Sequence, residues 1–138
     1  MPIHPKAVLD THAFIWFSEN QKISEKLCDK IESFAKNNEL YISSISLWEI
    51  SMLGMHGKIK FKKRYSQWLK QAITMPGLNI ANITADIAIG AAELPNNFHG
   101  DPADRLIVAT AMSLNAILFT RDTKILDLPS DYIRCIEV

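Results

Sequence analysis

The sequence predicts an α/β fold of three layers, α/β/α, built on a central, mostly parallel sheet of four to five strands. Three observations predict it. Short apolar runs ending in Asp, Ser or Thr alternate with longer segments whose apolar residues recur at helical spacing. That alternation implies βαβ units and a sheet covered on both faces. The chain's 138 residues, 48% of them hydrophobic, suffice for one domain with a real core, and no repeat, low-complexity tract or linker divides residues 1–138.

Residues 7–10, Ala-Val-Leu-Asp, read as a short buried strand, followed by a helix through Ala13-Phe14-Ile15-Trp16-Phe17. Ser24 fits the N-cap of a helix over 24–37, in which Leu27, Ile31 and Phe34 share a face. Residues 40–43 form the second strand. Ser46 is expected to begin the next helix, which carries Leu47, Trp48, Ile50, Met52 and Leu53 and ends at Gly54 and Gly57. A helix over 65–74 presents Trp68, Leu69 and Ala72, and Pro76-Gly77 turns the chain into a third strand at 78–82. Thr84 opens a helix through Ala92, and a loop rich in Pro, Asn and Gly covers 94–100. Asp101-Pro102 starts a long apolar helix that ends near Leu114-Asn115. Residues 116–120 are a fourth strand and 132–138 a fifth.

Composition removes several functional classes. No apolar run approaches the ~20 residues of a membrane span, and Met1-Pro2-Ile3-His4-Pro5-Lys6 lacks the apolar centre of a secretory signal. A cytoplasmic location is therefore the default expectation. Cys28 and Cys135 have no metal-type spacing and are expected to be reduced, small core residues. Fifteen basic and fifteen acidic side chains cancel, which argues against indiscriminate nucleic-acid binding but permits a local patch. The run Lys58-Ile59-Lys60-Phe61-Lys62-Lys63-Arg64 is such a patch, and a solvated loop between helices explains it equally well. Trp16, Trp48 and Trp68 fall on helical faces, where core packing is a commoner role than a base-stacking platform, and a groove for a partner helix is a further role for some of them.

Four carboxylates carry the chemistry. Asp10, Glu49, Asp104 and Asp122 each stand at or just inside the start of an expected helix, three of them beside the most apolar stretches. Each has a structural explanation of its own. Asp10 and Asp122 fit N-caps, Glu49 completes the capping-box pattern Ser46-x-x-Glu49, and Asp101 caps the helix in whose first turn Asp104 lies. Asp104 resists that explanation best, because the helix after it is apolar nearly all round and a carboxylate on a central helix needs a partner. Ligands in open α/β sheets bind at the carboxyl ends of the strands. Carboxylates meeting there repel one another unless a cation intervenes, and Mg²⁺ prefers oxygen ligands. Metal-assisted phosphodiester chemistry is the leading reading.

The segments Val8-Leu9-Asp10-Thr11-His12, Ser43-Ser44-Ile45-Ser46-Leu47-Trp48-Glu49-Ile50, Asp101-Pro102-Ala103-Asp104-Arg105-Leu106-Ile107 and Thr120-Arg121-Asp122 resemble, in order and spacing, those of PIN-domain ribonucleases. They look most like the VapC-type toxins of type II toxin–antitoxin systems. The resemblance implies a PIN-like domain with Asp10, Glu49, Asp104 and Asp122 around Mg²⁺ or Mn²⁺, endonucleolytic cleavage of RNA, an antitoxin partner and a homodimer. Metal-activated water attacking phosphorus in line leaves a 5′-phosphate and a 3′-hydroxyl. Asp10 and Asp104 are expected as direct ligands, Glu49 as a ligand or orienter of water, and Asp122 as a ligand or its support. Thr11 and Thr120 are candidates to hydrogen-bond a carboxylate or the substrate phosphate. His4, His12, His56 and His99 lack metal-ligand spacing, and His12 reads as a packed or surface residue.

Two other classes compete. Phosphoryl transfer through an Asp10 nucleophile would need a second Asp two residues on, where His12 stands. A non-catalytic RNA- or protein-binding module on the same fold is the other, and a DNA-directed nuclease would use the same cation chemistry.

Overall fold

The computed structural model describes residues 5–95, 97–98 and 100–138. The expectations for residues 1–4, for His4, and for His99 in the 94–100 loop lie outside the described residues. Five strands, β1 (Ala7–Leu9), β2 (Leu40–Ser43), β3 (Leu78–Ala81), β4 (Ile117–Thr120) and β5 (Arg134–Glu137), form one sheet in the order β3-β2-β1-β4-β5. Every neighbouring pair is parallel. The helices are α1 (Thr11–Ser18), α2 (Glu25–Lys36), α3 (Ser44–Met55), α4 (Tyr65–Ala72), α5 (Ala85–Ala92), α6 (Pro102–Leu114) and the single turn α7 (Thr123–Leu126).

Alternation along the short strands divides the core in two. Ala7 and Leu9 of β1 face one layer, with Leu40, Ile42 and Phe119 from the sheet and Phe14, Ile31, Phe34 and Leu69 from helices. Val8, between them, faces the other layer with Leu118, Ile107, Val108 and Ala111. Both faces of the sheet are covered, so the central strands are apolar on both sides, as parallel sheets require. On the outer surface of α6, Ala109 packs against Ile87 and Ala91 of α5.

Caps set most helix limits where the sequence places them. Asp10, Ser24, Thr84, Asp101 and Asp122 each accept a backbone N–H of the first turn. α3 differs from expectation. Its N-cap is Ser43, whose Oγ accepts from the Ile45 N–H at 3.2 Å, so the cap lies three residues before the predicted cap Ser46. Ser43 is also the last residue of β2, and strand passes into helix with no loop. Ser46 is instead buried inside the first turns, and Glu49 lies in the second turn, outside any capping box.

The end of α3 also differs in part. Gly54 lies within the helix, against the Tyr65 side chain, while Gly57 takes φ +68° just beyond it. The Gly57 N–H donates to the Gly54 carbonyl and the Lys58 N–H to the Leu53 carbonyl at 2.9 Å, the paired bonds of a Schellman stop. Trp16 and Trp68 are partly buried against the core, but Trp48 is 57% exposed, contrary to its expected core role. Cys28 and Cys135 are free thiols, each only partly buried. Among the described residues no helix is long and apolar enough to cross a membrane.

Candidate active site

The sheet order makes β1 the switch point. From β1 the chain builds outward through β2 to β3, then returns to the other side of β1 with β4. A crevice at the carboxyl end of β1 follows from that reversal, and Asp10 is the first residue past the strand. Its N–H still donates to the Phe119 carbonyl of β4 at 3.1 Å, tying it to the sheet. Its two carboxylate oxygens are separately engaged. Oδ1 accepts the Ala13 N–H at 2.8 Å as the cap of α1, and Oδ2 accepts the Thr120 hydroxyl at 2.5 Å. Thr120 Oγ1 in turn accepts the Asp122 N–H at 3.0 Å, and Asp122 Oδ1 accepts the Lys124 N–H at 2.8 Å. The end of β4 thus orients the carboxylate of β1 and its own.

Glu49 reaches the same place from α3. Its Oε1 accepts the Thr11 hydroxyl at 2.5 Å, and Thr11 Oγ1 also hydrogen-bonds Ser46 Oγ at 2.9 Å, with Thr11 and Ser46 both buried. Asp104 enters on the first turn of α6, where it and Asp101 form a reciprocal capping box. The Asp104 N–H donates to Asp101 Oδ1 at 2.8 Å, and the Asp101 N–H to Asp104 Oδ2 at 3.4 Å. The capping box expected at Ser46 and Glu49 is therefore found at Asp101 and Asp104.

Asp10, Glu49, Asp104 and Asp122 line one cleft of about 490 Å³, together with Asp101, Thr11, His12, Trp16, Ile107 and Arg121. Three of the acids are pushed toward the protonated form. Burial raises the Asp10 carboxyl, partly opposed by the Thr120 hydroxyl and the Ala13 N–H, with Asp122 adding repulsion. Burial likewise raises Glu49, opposed by the Thr11 hydroxyl, while Asp101 and Asp10 add to the rise. Asp104 is raised to about 7, by burial first and then by Asp101, Asp122 and Glu49. Burial is the largest cause in all three, and repulsion among the acids adds to it.

Arg121 does not relieve that crowding by pairing with an acid. Its Nε donates to the main-chain oxygen of Val138 at 2.5 Å and an Nη donates to the Lys22 carbonyl at 2.6 Å, while its guanidinium lies 4.3 Å from the centre of the Trp16 ring. Sequence reasoning placed Trp16 in the core and gave Arg121 no part in the cleft. The only signal for Arg121 was its place inside Thr120-Arg121-Asp122. Asp101, read as a cap, both caps α6 and faces the cleft.

The acids offer only oxygen donors, which suits a hard divalent ion. Among the described residues no three carboxylate, imidazole or thiol groups stand close enough to form a closed metal cage. Mg²⁺ does not demand one, since it keeps several waters and takes one or two carboxylates. The residues present therefore fit a hydrated Mg²⁺ or Mn²⁺ better than a dehydrated, fully caged ion.

The PIN domain family matches residues 7–130 of this chain. Ribonuclease VapC22 of Mycobacterium tuberculosis is 34% identical over 119 residues, which are 86% of this chain and 88% of that protein. Among solved structures, the DNA-bound VapBC of Salmonella typhimurium superimposes with a TM-score of 0.72 at 20% identity, covering 97% of this chain and 98% of that one. VapBC2 of Rickettsia felis, bound to a fragment of promoter DNA, gives 0.72 at 24% identity, covering 95% and 97%. These structures share the fold, and the family match and the sequence relative decide the lineage: the chain belongs to the PIN-domain family and is homologous to VapC-type toxins of type II toxin–antitoxin systems.

Proposed function

We propose that the chain is a Mg²⁺- or Mn²⁺-dependent endoribonuclease, the toxin of a toxin–antitoxin pair acting in the cytoplasm. The observation that carries this reading is the convergence of Asp10, Glu49, Asp104 and Asp122 on one cleft at the sheet's switch point. The name of the M. tuberculosis relative supports the choice of RNA over DNA. Asp10 and Asp104 would hold the ion directly, with Glu49 and Asp122 as further ligands or as supports of the attacking water and of the shell. When bound, the divalent ion acidifies water and polarises the scissile phosphate. The chain's own contribution is orientation. Thr120 fixes Asp10, Thr11 fixes Glu49, and both hydroxyls are already committed to carboxylates. We therefore assign Thr11 and Thr120 to positioning the acids rather than to binding substrate.

The VapBC names of the structural relatives support an antitoxin as partner. A homodimer is proposed on the resemblance alone.

The deciding experiment incubates purified protein with single-stranded RNA, and separately with DNA, in Mg²⁺ or in EDTA, and compares Asp10→Asn. RNA is expected to be cut in Mg²⁺ only, leaving 5′-phosphate ends, with the rate in Asp10→Asn at least ~100-fold lower. Cutting that persists in EDTA and in the variant overturns the reading, and preferential cutting of DNA reassigns the substrate.

A further inference from the structure

The carboxylate cleft opens on one side, across Glu49, toward a second cavity. That cavity, about 200 Å³, is lined by Trp48, Glu49, Met52, Leu53, His56 and Lys58. Five of the six come from α3 and its C-cap, in the two adjacent ridges 48/52 and 49/53/56 that residues four and three apart form on a helix. The surface thus runs about 10 Å along α3 from Glu49 to His56. Ser46 and Ile50 of the same helix are buried. Trp48 at 57% exposure and Met55 at 71% are the most exposed large apolar side chains of α3.

At the far end of this surface the charge changes sign. The Schellman stop brings the Lys58 N–H back to the Leu53 carbonyl, which sets Lys58 in the cavity wall. From there the chain alternates. Ile59 and Phe61 turn inward, Phe61 stacking on Trp68 with ring centres 4.1 Å apart, while Lys58, Lys60, Lys62, Lys63 and Arg64 are exposed. Five of the chain's fifteen Lys and Arg side chains fall in these seven residues, although the whole molecule is neutral. A polyanion approaching a cleft of five carboxylates is repelled by it, and a neighbouring cationic strip offsets that repulsion. The flat, exposed indole between the two is suited to a nucleobase, whose face stacks on aromatic rings without regard to sequence.

We propose that this surface is a subsite for single-stranded RNA: a base flanking the scissile phosphate stacks on Trp48 over Met52, and the phosphates beyond it follow Lys58, Lys60 and Lys62. The subsite deepens the nuclease reading and rests on it for the position of the scissile bond. Its own test is a binding measurement that needs no cleavage. Fluorescence anisotropy with a labelled single-stranded RNA of about twelve nucleotides, in Mg²⁺ and in the Asp10→Asn background, reports affinity directly. Trp48→Ala is expected to weaken binding about 5- to 150-fold, and Trp48→Phe to restore most of it. The triple variant Lys58→Ala, Lys60→Ala, Lys62→Ala is expected to flatten the dependence of log K on log salt by about 0.7 for each phosphate that is no longer neutralised.

In chains that retain Asp10, Trp48→Ala should raise KM for RNA and leave kcat within about twofold, the pattern of an interaction made equally in the bound and the transition state. Unchanged RNA affinity in Trp48→Ala together with an altered monomer–dimer equilibrium overturns the proposal and makes this face an interface between copies. Unchanged affinity in both the Trp48 and the lysine variants overturns it outright. Because the cleavage assay with EDTA is scored separately, loss of the subsite and loss of the nuclease assignment are distinguishable.

Discussion

At the scale of single residues, capping and convergence are not rival explanations of the acids. Asp10 gives one oxygen to the Ala13 N–H and the other to Thr120, so its cap role fixes the direction in which it serves the cleft. Asp122 and Asp101 likewise cap while lining the same space. The hydroxyl of Thr120 is the most testable of these supports. Thr120→Val removes the 2.5 Å bond, and because that bond holds the Asp10 carboxyl down, its loss should move the acidic limb of the pH–rate profile to higher pH. Activity at pH 7 should fall about 10- to 100-fold, the usual cost of losing a group that orients a ligand. Thr120→Ser, which keeps the hydroxyl, should hold both the rate and the profile close to the parent. An unshifted profile in Thr120→Val would remove the positioning role.

At the scale of elements, two glycines separate conformational from steric need. Gly57 and Gly77 both have positive φ, +68° and +85°. A Cβ on Gly57 meets nothing within 4 Å, whereas one on Gly77 would lie 1.8 Å from the Ala35 carbonyl oxygen at the end of α2. Gly57→Ala should therefore cost only the left-handed conformation, about 1 kcal/mol. Gly77→Ala adds a backbone collision and should cost at least about 2 kcal/mol more, unless β3 shifts. Urea midpoints of the two variants check the ranking, and equal losses would contradict it. The start of α3 belongs to this scale too. Ser43 and Ser46 are equally good caps by local chemistry, and the choice falls to Ser43 because β2 pairs with β3 through Ser43↔Ala81 and the helix must start at once. That shift of three residues turns Ser46 inward to Thr11 and carries Glu49 away from the helix end and onto the wall of the cleft.

At the scale of the whole molecule, the crowded acids make metal-free stability depend on pH. In the folded chain the Asp104 carboxyl keeps its proton up to about pH 7, against an ordinary value of 3.8. Between those values the folded state binds more protons than the unfolded one, so stability falls as pH rises through this window and stays low above it. The raised Asp10 and Glu49 carboxyls act in the same direction. In EDTA the melting temperature should be higher at pH 5 than at pH 8. Mg²⁺ should restore more at pH 8, because it binds the deprotonated cleft. Asp104→Asn should raise the pH 8 melting temperature in EDTA, flatten the pH dependence and abolish activity, the trade expected where function stores destabilisation. A melting temperature that rises with pH in EDTA would show that the acids do not sense one another as this cleft requires.

Much of this protein was legible along the chain. Apolar runs such as Ala7-Val8-Leu9, caps such as Ser24, Thr84 and Asp101, and helical spacing in α2 are local signals, and local sterics and hydrogen bonding act over a few residues. They determined the order of strands and helices, and the resemblance of four short motifs named the acids. What the chain could not show was any relation across distance. That Thr120 holds Asp10, that Thr11 holds Glu49 and that Arg121 lies over Trp16 depend on strand order and register, which are set by packing two cores on opposite faces of one sheet. The exposure of Trp48 was hidden for the same reason, since an apolar residue on a helix is core or surface according to what the rest of the fold lays against it.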